Sequence, residues 1–445
     1  MKTTAIAAAL IAAAGATYAG ATYVSSSSFE RTLGEMKRES PGMHGLKLTQ
    51  TEHHHGLLGS QGRLRLALDP QCVAPELDLD LAVDVRYRVR HTPGLGGVSS
   101  FEAELVLPPT TPAEVLRVIG TDVLVRASGH VGFTGNTTAR FDTPQIEHRD
   151  GDTHVFVAAS SGTIVGQGQA SKVNWAIPRV SIDADGQQIT LNGIGARAEI
   201  KDPVLGTGQS VVTVDSIVGQ DLRIEGLELA SSTTERGELL DSVVSPKVRQ
   251  VMFQQQRFEN LGATFAMRGL DTHSVRRLSE IGNSGCGEQM FTEHNLLEAE
   301  SAFARLFQRG LSIALTQVGG KLPQGSVNAG IEFGLAPIAK GSYEPLINRV
   351  SARGNVEAAQ GLMMPEQRDM LLDMGLAQLR GDSMSAEFSF AQGRLMINGR
   401  QDDNGFGDMI RQLFEQGDEQ LVQWQDGLQK GQPALAALLP MLRAR

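Results

Sequence analysis

Leu77-Asp78-Leu79-Asp80-Leu81-Ala82-Val83-Asp84-Val85-Arg86-Tyr87-Arg88-Val89-Arg90 is the stretch that decides the fold class. Apolar side chains occupy every odd position, and the even positions are charged except for one alanine, a period of two without a fault. On a helix these side chains would spread around the whole circumference. On a strand Leu77, Leu79, Leu81, Val83, Val85, Tyr87 and Val89 share one face. At about 3.3 Å per residue such a strand would run roughly 46 Å, beyond the usual length. The aliphatic face either lines an elongated apolar groove or is ordinary core. The opposite face is acidic at one end and basic at the other, which predicts a solvated or cross-strand salt-linked surface rather than catalytic carboxylates.

Shorter segments of the same kind lie on both sides. Arg63–Leu68 carries Leu64, Leu66 and Leu68 on one side, and Phe101–Leu107 ends at Pro108-Pro109, which stops a strand. Further strands are expected at Asp122–Phe133, His154–Val165, Gln188–Ile200, Val211–Val218 and Leu222–Leu229, with Asp185-Gly186 as the sharpest hairpin signal. Residues 25–235 therefore predict an antiparallel β-rich region. Residues 236–401 predict a mixed α+β region. Val248–Met267 continues the sheet, Asp271 caps a short helix through Leu278, and Asn295–Leu311 is helical with an interruption near Gly310. Leu311–Val318 and Val327–Phe333 are strands, Asn355–Leu379 is an amphipathic helix broken or restarted at Pro365, and Met384–Phe390 with Arg394–Ile397 forms a hairpin. Residues 402–445 close the chain as a helical segment. The fold class is mainly β with α, a long antiparallel meander or curved sheets with packed helices.

Residues 1–24 carry a different signal. Lys2 precedes a run from Ala5 to Val24 without a charge, and twenty residues at 1.5 Å rise span about 30 Å. This predicts one transmembrane helix anchoring the protein in a bacterial inner membrane, with the bulk of the chain in the periplasm. Ala19-Gly20-Ala21 supplies the competing reading, a cleaved signal that releases a periplasmic product.

Composition removes several function classes. The formal net charge is −10 with no basic stripe, so no nucleic-acid partner is expected. Aromatic residues are 5% of the chain, too few for base-stacking platforms. No phosphate-binding Gly-Lys-Ser/Thr loop, dinucleotide fingerprint or nucleophile elbow occurs, and no cofactor is implied.

Three small constellations could carry chemistry. Cys72 and Cys286 are the only two cysteines and can form one disulfide in an oxidising compartment, or remain two thiols. Gly285-Cys286-Gly287-Glu288-Gln289 resembles the internal-thioester motif of the macroglobulin and complement family, in which the cysteine sulfur is acylated by the glutamine three positions later. The reacting pair here would be Cys286 and Gln289, which excludes the disulfide. His53 and His55 share a strand face and could begin a metal site, but no regularly spaced third ligand follows.

Several segments together resemble the YdgA-like family of bacterial envelope proteins. These are the turn Gly56-Leu57-Leu58-Gly59-Ser60 before Arg63–Leu68, the alternating strand ending at His91, and Leu261–Met267 followed by Arg268-Gly269-Leu270-Asp271 and a short helix. Leu322-Pro323-Gln324-Gly325 and the stretch from Gly393 to Asn398-Gly399 belong with them, whereas Thr92-Pro93 departs from the expected pattern. The resemblance implies an anchored, periplasm-facing, β-rich protein and transfers no catalytic residue. The resulting expectation is a non-enzymatic envelope protein that binds a lipid or another envelope protein, with homo-oligomers covering exposed strand edges. The alternatives are a reactive protein built on Cys286–Gln289 or an envelope enzyme.

Overall fold

A computed structural model describes residues 46–56, 59–68, 82–90, 99–132, 134–168, 170–282, 292–338, 344–402 and 405–429. The chain is mainly β, and its described residues fall into two compact units, one up to Gln220 and one from Asp221 onward. The expected transmembrane helix at Ala5–Val24 lies outside the described residues. Among the described residues no helix is long and apolar enough to cross a membrane.

The first unit contains β1 (Leu46–Gly56), β2 (Gly59–Leu68), β3 (Ala82–Arg90), β4 (Ser99–Val106), α1 (Ala113–Ile119), β5 (Val123–Val131), β6 (Thr137–Thr143), β7 (Ile146–Asp150), β8 (Thr153–Val157), β9 (Ser160–Gln167), β10 (Ala170–Ala184), β11 (Gln187–Asp202) and β12 (Thr207–Val218). The pairings are antiparallel. They run β1-β2-β3-β4-β5-β6-β9-β10-β11-β12, and the β7–β8 hairpin continues alongside β10 beyond the end of β9. One cross-strand row, Leu64–Val85–Leu105–Val125, shows how the alternation assembles a core. Tyr87, Val89, Phe101, Leu124, Phe141, Ile146 and Ile164 fill that core, and α1 contributes Ile119. Gly120 ends α1 in the left-handed conformation (φ 75°), its amide donating back to Leu116 O.

The ladder of this sheet is interrupted at matching places. Pro144-Gln145 separates β6 from β7, and Ala158-Ala159 separates β8 from β9, which corrects the single strand expected over His154–Val165. Pro178 has no amide hydrogen, and the β10–β11 register passes over it and over Gly193, which sits at φ 61°. Ala158 N donates to Arg179 O at 2.9 Å, and Trp175 Nε1 donates to Ser160 Oγ at 2.9 Å, tying the strands together across the interruption.

The second unit contains β13 (Leu222–Arg236), β14 (Leu239–Phe253), β15 (Gln256–Asp271), α2 (Thr272–Gly282), α3 (Glu293–Arg309), β16 (Leu311–Leu322), β17 (Gly325–Leu335), α4 (Leu346–Arg349), β18 (Val350–Ala359), α5 (Pro365–Asp373), β19 (Gln378–Arg380), β20 (Ser383–Ala391), β21 (Arg394–Ile397), β22 (Arg400–Gln401) and α6 (Phe406–Gln429). β13 to β18 pair in sequence, β18 then pairs β20, and β19 and β21 lie end to end along the other side of β20.

Two sequence expectations are sharpened and two need correction. Val248–Met267 continues the sheet as expected, divided between two strands because Gln254 and Gln255 take positive φ (47° and 68°) and turn the chain. Asn355–Leu379 is not one helix: β18 runs through Ala359, a 3-10 turn follows at Gln360–Leu362, and α5 starts with Pro365 at its first turn. Leu46–Gly56, Thr137–Thr143, Ile146–Asp150 and Ala170–Ala184 are strands that the periodicity did not announce. Asp84 takes the cross-strand salt-linked form of its expected surface: it is 4% exposed and lies 3.3 Å from Arg65, its direct neighbour on β2.

Candidate ligand-binding face

Strands β13 to β20 present two adjacent cross-strand rows on one face. The first is Ser231–Val244–Phe265–Leu315–Ile331–Gly354–Phe388, and the second is Thr233–Ser242–Met267–Ile313–Phe333–Ala352–Phe390. Residues two apart on a strand point the same way, so both rows belong to one surface. The middle of that surface is open: Phe265, Ile313, Leu315 and Phe333 remain 37–47% exposed. Leu229, on the same face of β13, is 45% exposed. At the far end the surface closes, where Phe414 of α6 stacks on Phe390 at 5.7 Å. Gly354 is required there, since a Cβ at that position would meet the Phe388 ring at 2.3 Å.

The intervening positions are of another kind. Ala266 and Ala314 are each 2% exposed, and beside them Glu332 accepts from Arg353 Nε at 2.9 Å. The sheet is thus amphipathic, with its large apolar residues on the open face and ion pairs on the reverse. Contiguous exposed aromatic and aliphatic side chains of this size mark surfaces that bind something apolar.

The helices are placed by a buried polar joint. Asp271 is fully buried at the end of β15, where its Oδ2 accepts from Ser274 N (2.9 Å) and Ser274 Oγ (2.8 Å), capping α2. Arg305 Nε lies 2.9 Å from Oδ2 and Arg309 Nε 3.4 Å from Oδ1, so α3 is held by the same carboxylate. Burial works against its charge, but the hydrogen bonds from Ser274 and the charge and hydrogen bond of Arg305 outweigh it and hold the carboxyl below its ordinary pKa. Thr292 Oγ1 caps α3 by accepting from Asn295 N at 3.2 Å, and Trp424 of α6 donates to the buried Glu300 at 3.0 Å.

Tyr87 and Val89 sit in the core of the first unit, with Val83 and Val85 packed against it. Leu77, Leu79 and Leu81 lie outside the described residues, as do Cys72, Cys286 and Gln289. The side chain of His55 is likewise outside them. His53 Nδ1 lies 2.7 Å from the hydroxyl of Tyr87, whose pKa is raised by burial. Among the described residues no group of three or more His, Cys, Asp and Glu side chains could hold a metal ion.

The apolar rows of the second unit were not singled out from the sequence as a site. Their signal was present in Leu311-Ser312-Ile313-Ala314-Leu315-Thr316 and Ile331-Glu332-Phe333-Gly334-Leu335, which alternate as β3 does. What such a pattern cannot show is that the middle of the apolar side stays open, with Phe265, Ile313, Leu315 and Phe333 37–47% exposed.

No curated protein and no solved structure matches the chain. The model of a family described as bacterial protein of unknown function (DUF945) matches residues 1–364. With that much of its length matched, the chain belongs to the DUF945 family of bacterial proteins.

Proposed function

We propose that this protein is a non-enzymatic component of the bacterial envelope that holds the acyl chain of a lipid on the open face of its second unit, at the periplasmic side of the inner membrane. The observation that carries the reading is the pair of cross-strand rows whose Phe265, Ile313, Leu315 and Phe333 stand half-exposed beside one another. An extended hydrocarbon laid along these rows would bury what remains exposed, and full burial of a side chain of this kind contributes about 1.5–3 kcal/mol. The charge-free run Ala5–Val24 and the resemblance to YdgA-like proteins support the membrane setting. Among the described residues of the two rows no side chain is charged, which favours hydrocarbon over a polar ligand.

The test is purification of the full-length chain without exchange of bound lipid, followed by mass spectrometry of extracted apolar molecules and titration with a fluorescent fatty acid. Wild type is expected to carry acyl chains and to bind the probe saturably. Phe333→Asp, on a strand face already open to solvent, is expected to lose at least tenfold in affinity while keeping its circular dichroism spectrum. Absence of lipid from wild type, together with a sharply defined oligomer that Phe333→Asp dissociates, would replace the lipid by a second copy of the chain.

A further inference from the structure

A cleft of about 550 Å³ opens at the ends of the strands of the second unit, where the turns Gly310-Leu311, Leu335–Pro337, Asn348–Val350 and Ala391-Gln392 come together. Three arginines line it, Arg268, Arg309 and Arg349, and among the described residues no Asp or Glu does. Its floor comes from one cross-strand row, Arg268–Ser312–Gly334–Ser351–Ala391. The residues in this row after Arg268 are small, and a Cβ on Gly334 would meet Ser351 Oγ at 2.7 Å. The row alternates with Met267–Ile313–Phe333, so it belongs to the reverse of the sheet and not to the open apolar face.

The arginines differ in how they are held. Arg309 is fixed by Glu238, 2.6 Å from Nη2, and by Asp271. Arg349 is 4% exposed, and its guanidinium donates to two backbone carbonyls, Ala336 O (3.0 Å from Nε) and Phe307 O. Among the described residues no carboxylate lies within 4.0 Å of it. A buried cation bonded only to neutral carbonyls is costly, and a counter-ion in the cleft would lower that cost. Burial lowers its pKa, while Glu344 and Asp418 pull the other way. Arg268 is the available one. Its nearest carboxylate oxygen, on Glu332, is 3.9 Å away, and the other oxygen of Glu332 already takes Arg353.

We propose that this cleft binds an oxyanion of the phosphate class carried on an organic molecule. Guanidinium forks match the oxygens of such a group, and the hydroxyls of Ser312 and Ser351 and the amide of Asn348 add uncharged donors. The volume exceeds that of a bare phosphate, leaving room for the group that carries it. The cleft does not depend on the acyl-chain reading, since Arg268, Ser312 and Ser351 stand on the reverse of the sheet, while Leu311, Leu335 and Val350, in line with the apolar rows, border it at the strand ends.

The experiment titrates the full-length protein calorimetrically with sodium phosphate and with glycerol 1-phosphate at constant ionic strength. In parallel it measures co-sedimentation with vesicles of phosphatidylglycerol and of phosphatidylcholine. Saturable binding of either soluble probe, weakened about tenfold by Arg268→Gln at unchanged melting temperature, supports a free phosphorylated ligand. Preference for phosphatidylglycerol vesicles that Arg268→Gln removes, and that Phe333→Asp leaves intact, supports a lipid headgroup. Ser351→Leu, which fills the floor without touching a charge, is expected to abolish binding in either arm. No saturable binding of any probe by wild type, or binding unchanged in both Arg268→Gln and Ser351→Leu, overturns the proposal.

Discussion

Asp271 shows how much one carboxylate can organise. It ends β15, caps α2 through Ser274 and anchors α3 through Arg305 and Arg309, all while fully buried. Asp271→Asn keeps an oxygen for the cap but removes the charge. It is expected to destabilise the second unit by about 2 kcal/mol, less than a fully buried pair would lose because both arginines are partly solvated. Asp271→Ala also loses the cap and costs about 1 kcal/mol more. Because the folded carboxyl titrates below its unfolded value, its contribution is complete above about pH 4 and disappears as pH falls through the folded pKa. Denaturation of wild type and Asp271→Asn between pH 7 and pH 2 should therefore show a constant gap that closes only in strong acid. A gap that widens on acidification would contradict the role. The capping was legible in the sequence, since an aspartate before a helix with serine three positions on is a local signal. The arginines, more than thirty residues further along, were not, because nothing local links α3 to the end of β15.

At the scale of elements, the strands that were legible are those whose large apolar residues alternate against polar ones, such as β3, β4 and β11. β18 was misread because its positions in line with the apolar rows include Gly354 and Ala358, whose small size weakens the period-two signal. The β14–β15 hairpin was missed for a different reason. Its turn residues, Gln254 and Gln255, both adopt positive φ, where glutamine pays a steric cost that Asn and Gly largely avoid. The double substitution Gln254→Asn with Gln255→Gly is therefore expected to stabilise the second unit by about 1 kcal/mol, read as a higher urea midpoint at unchanged slope. An unchanged or lowered midpoint would mean that the glutamines make compensating contacts. The interrupted ladder of the first unit follows the same logic, with prolines and Gly193 placed at the breaks.

At the scale of the molecule, the two units bury their apolar residues differently. The first closes strands β3 to β9 over a continuous core in which Val125, Ala139 and Ile164 are 3%, 2% and 2% exposed. The second leaves Phe265, Leu315 and Phe333 standing open on strands that are paired along both edges. Local stability follows the apolar contacts around a backbone hydrogen bond as well as the bond itself. Amide hydrogen exchange should accordingly be slowest in β4 to β6 and β9, and faster in β15 to β17 despite their central position in the ladder. Adding a long-chain fatty acid should then slow exchange selectively in β15 to β17, because the ligand supplies the missing contacts. Its effect on β4 to β6 should be small, since that core is already closed. Equal protection of the two sets without ligand would mean that the open face is covered in solution by something other than hydrocarbon. Protection that rises with protein concentration and ignores fatty acid would identify that cover as another copy of the chain.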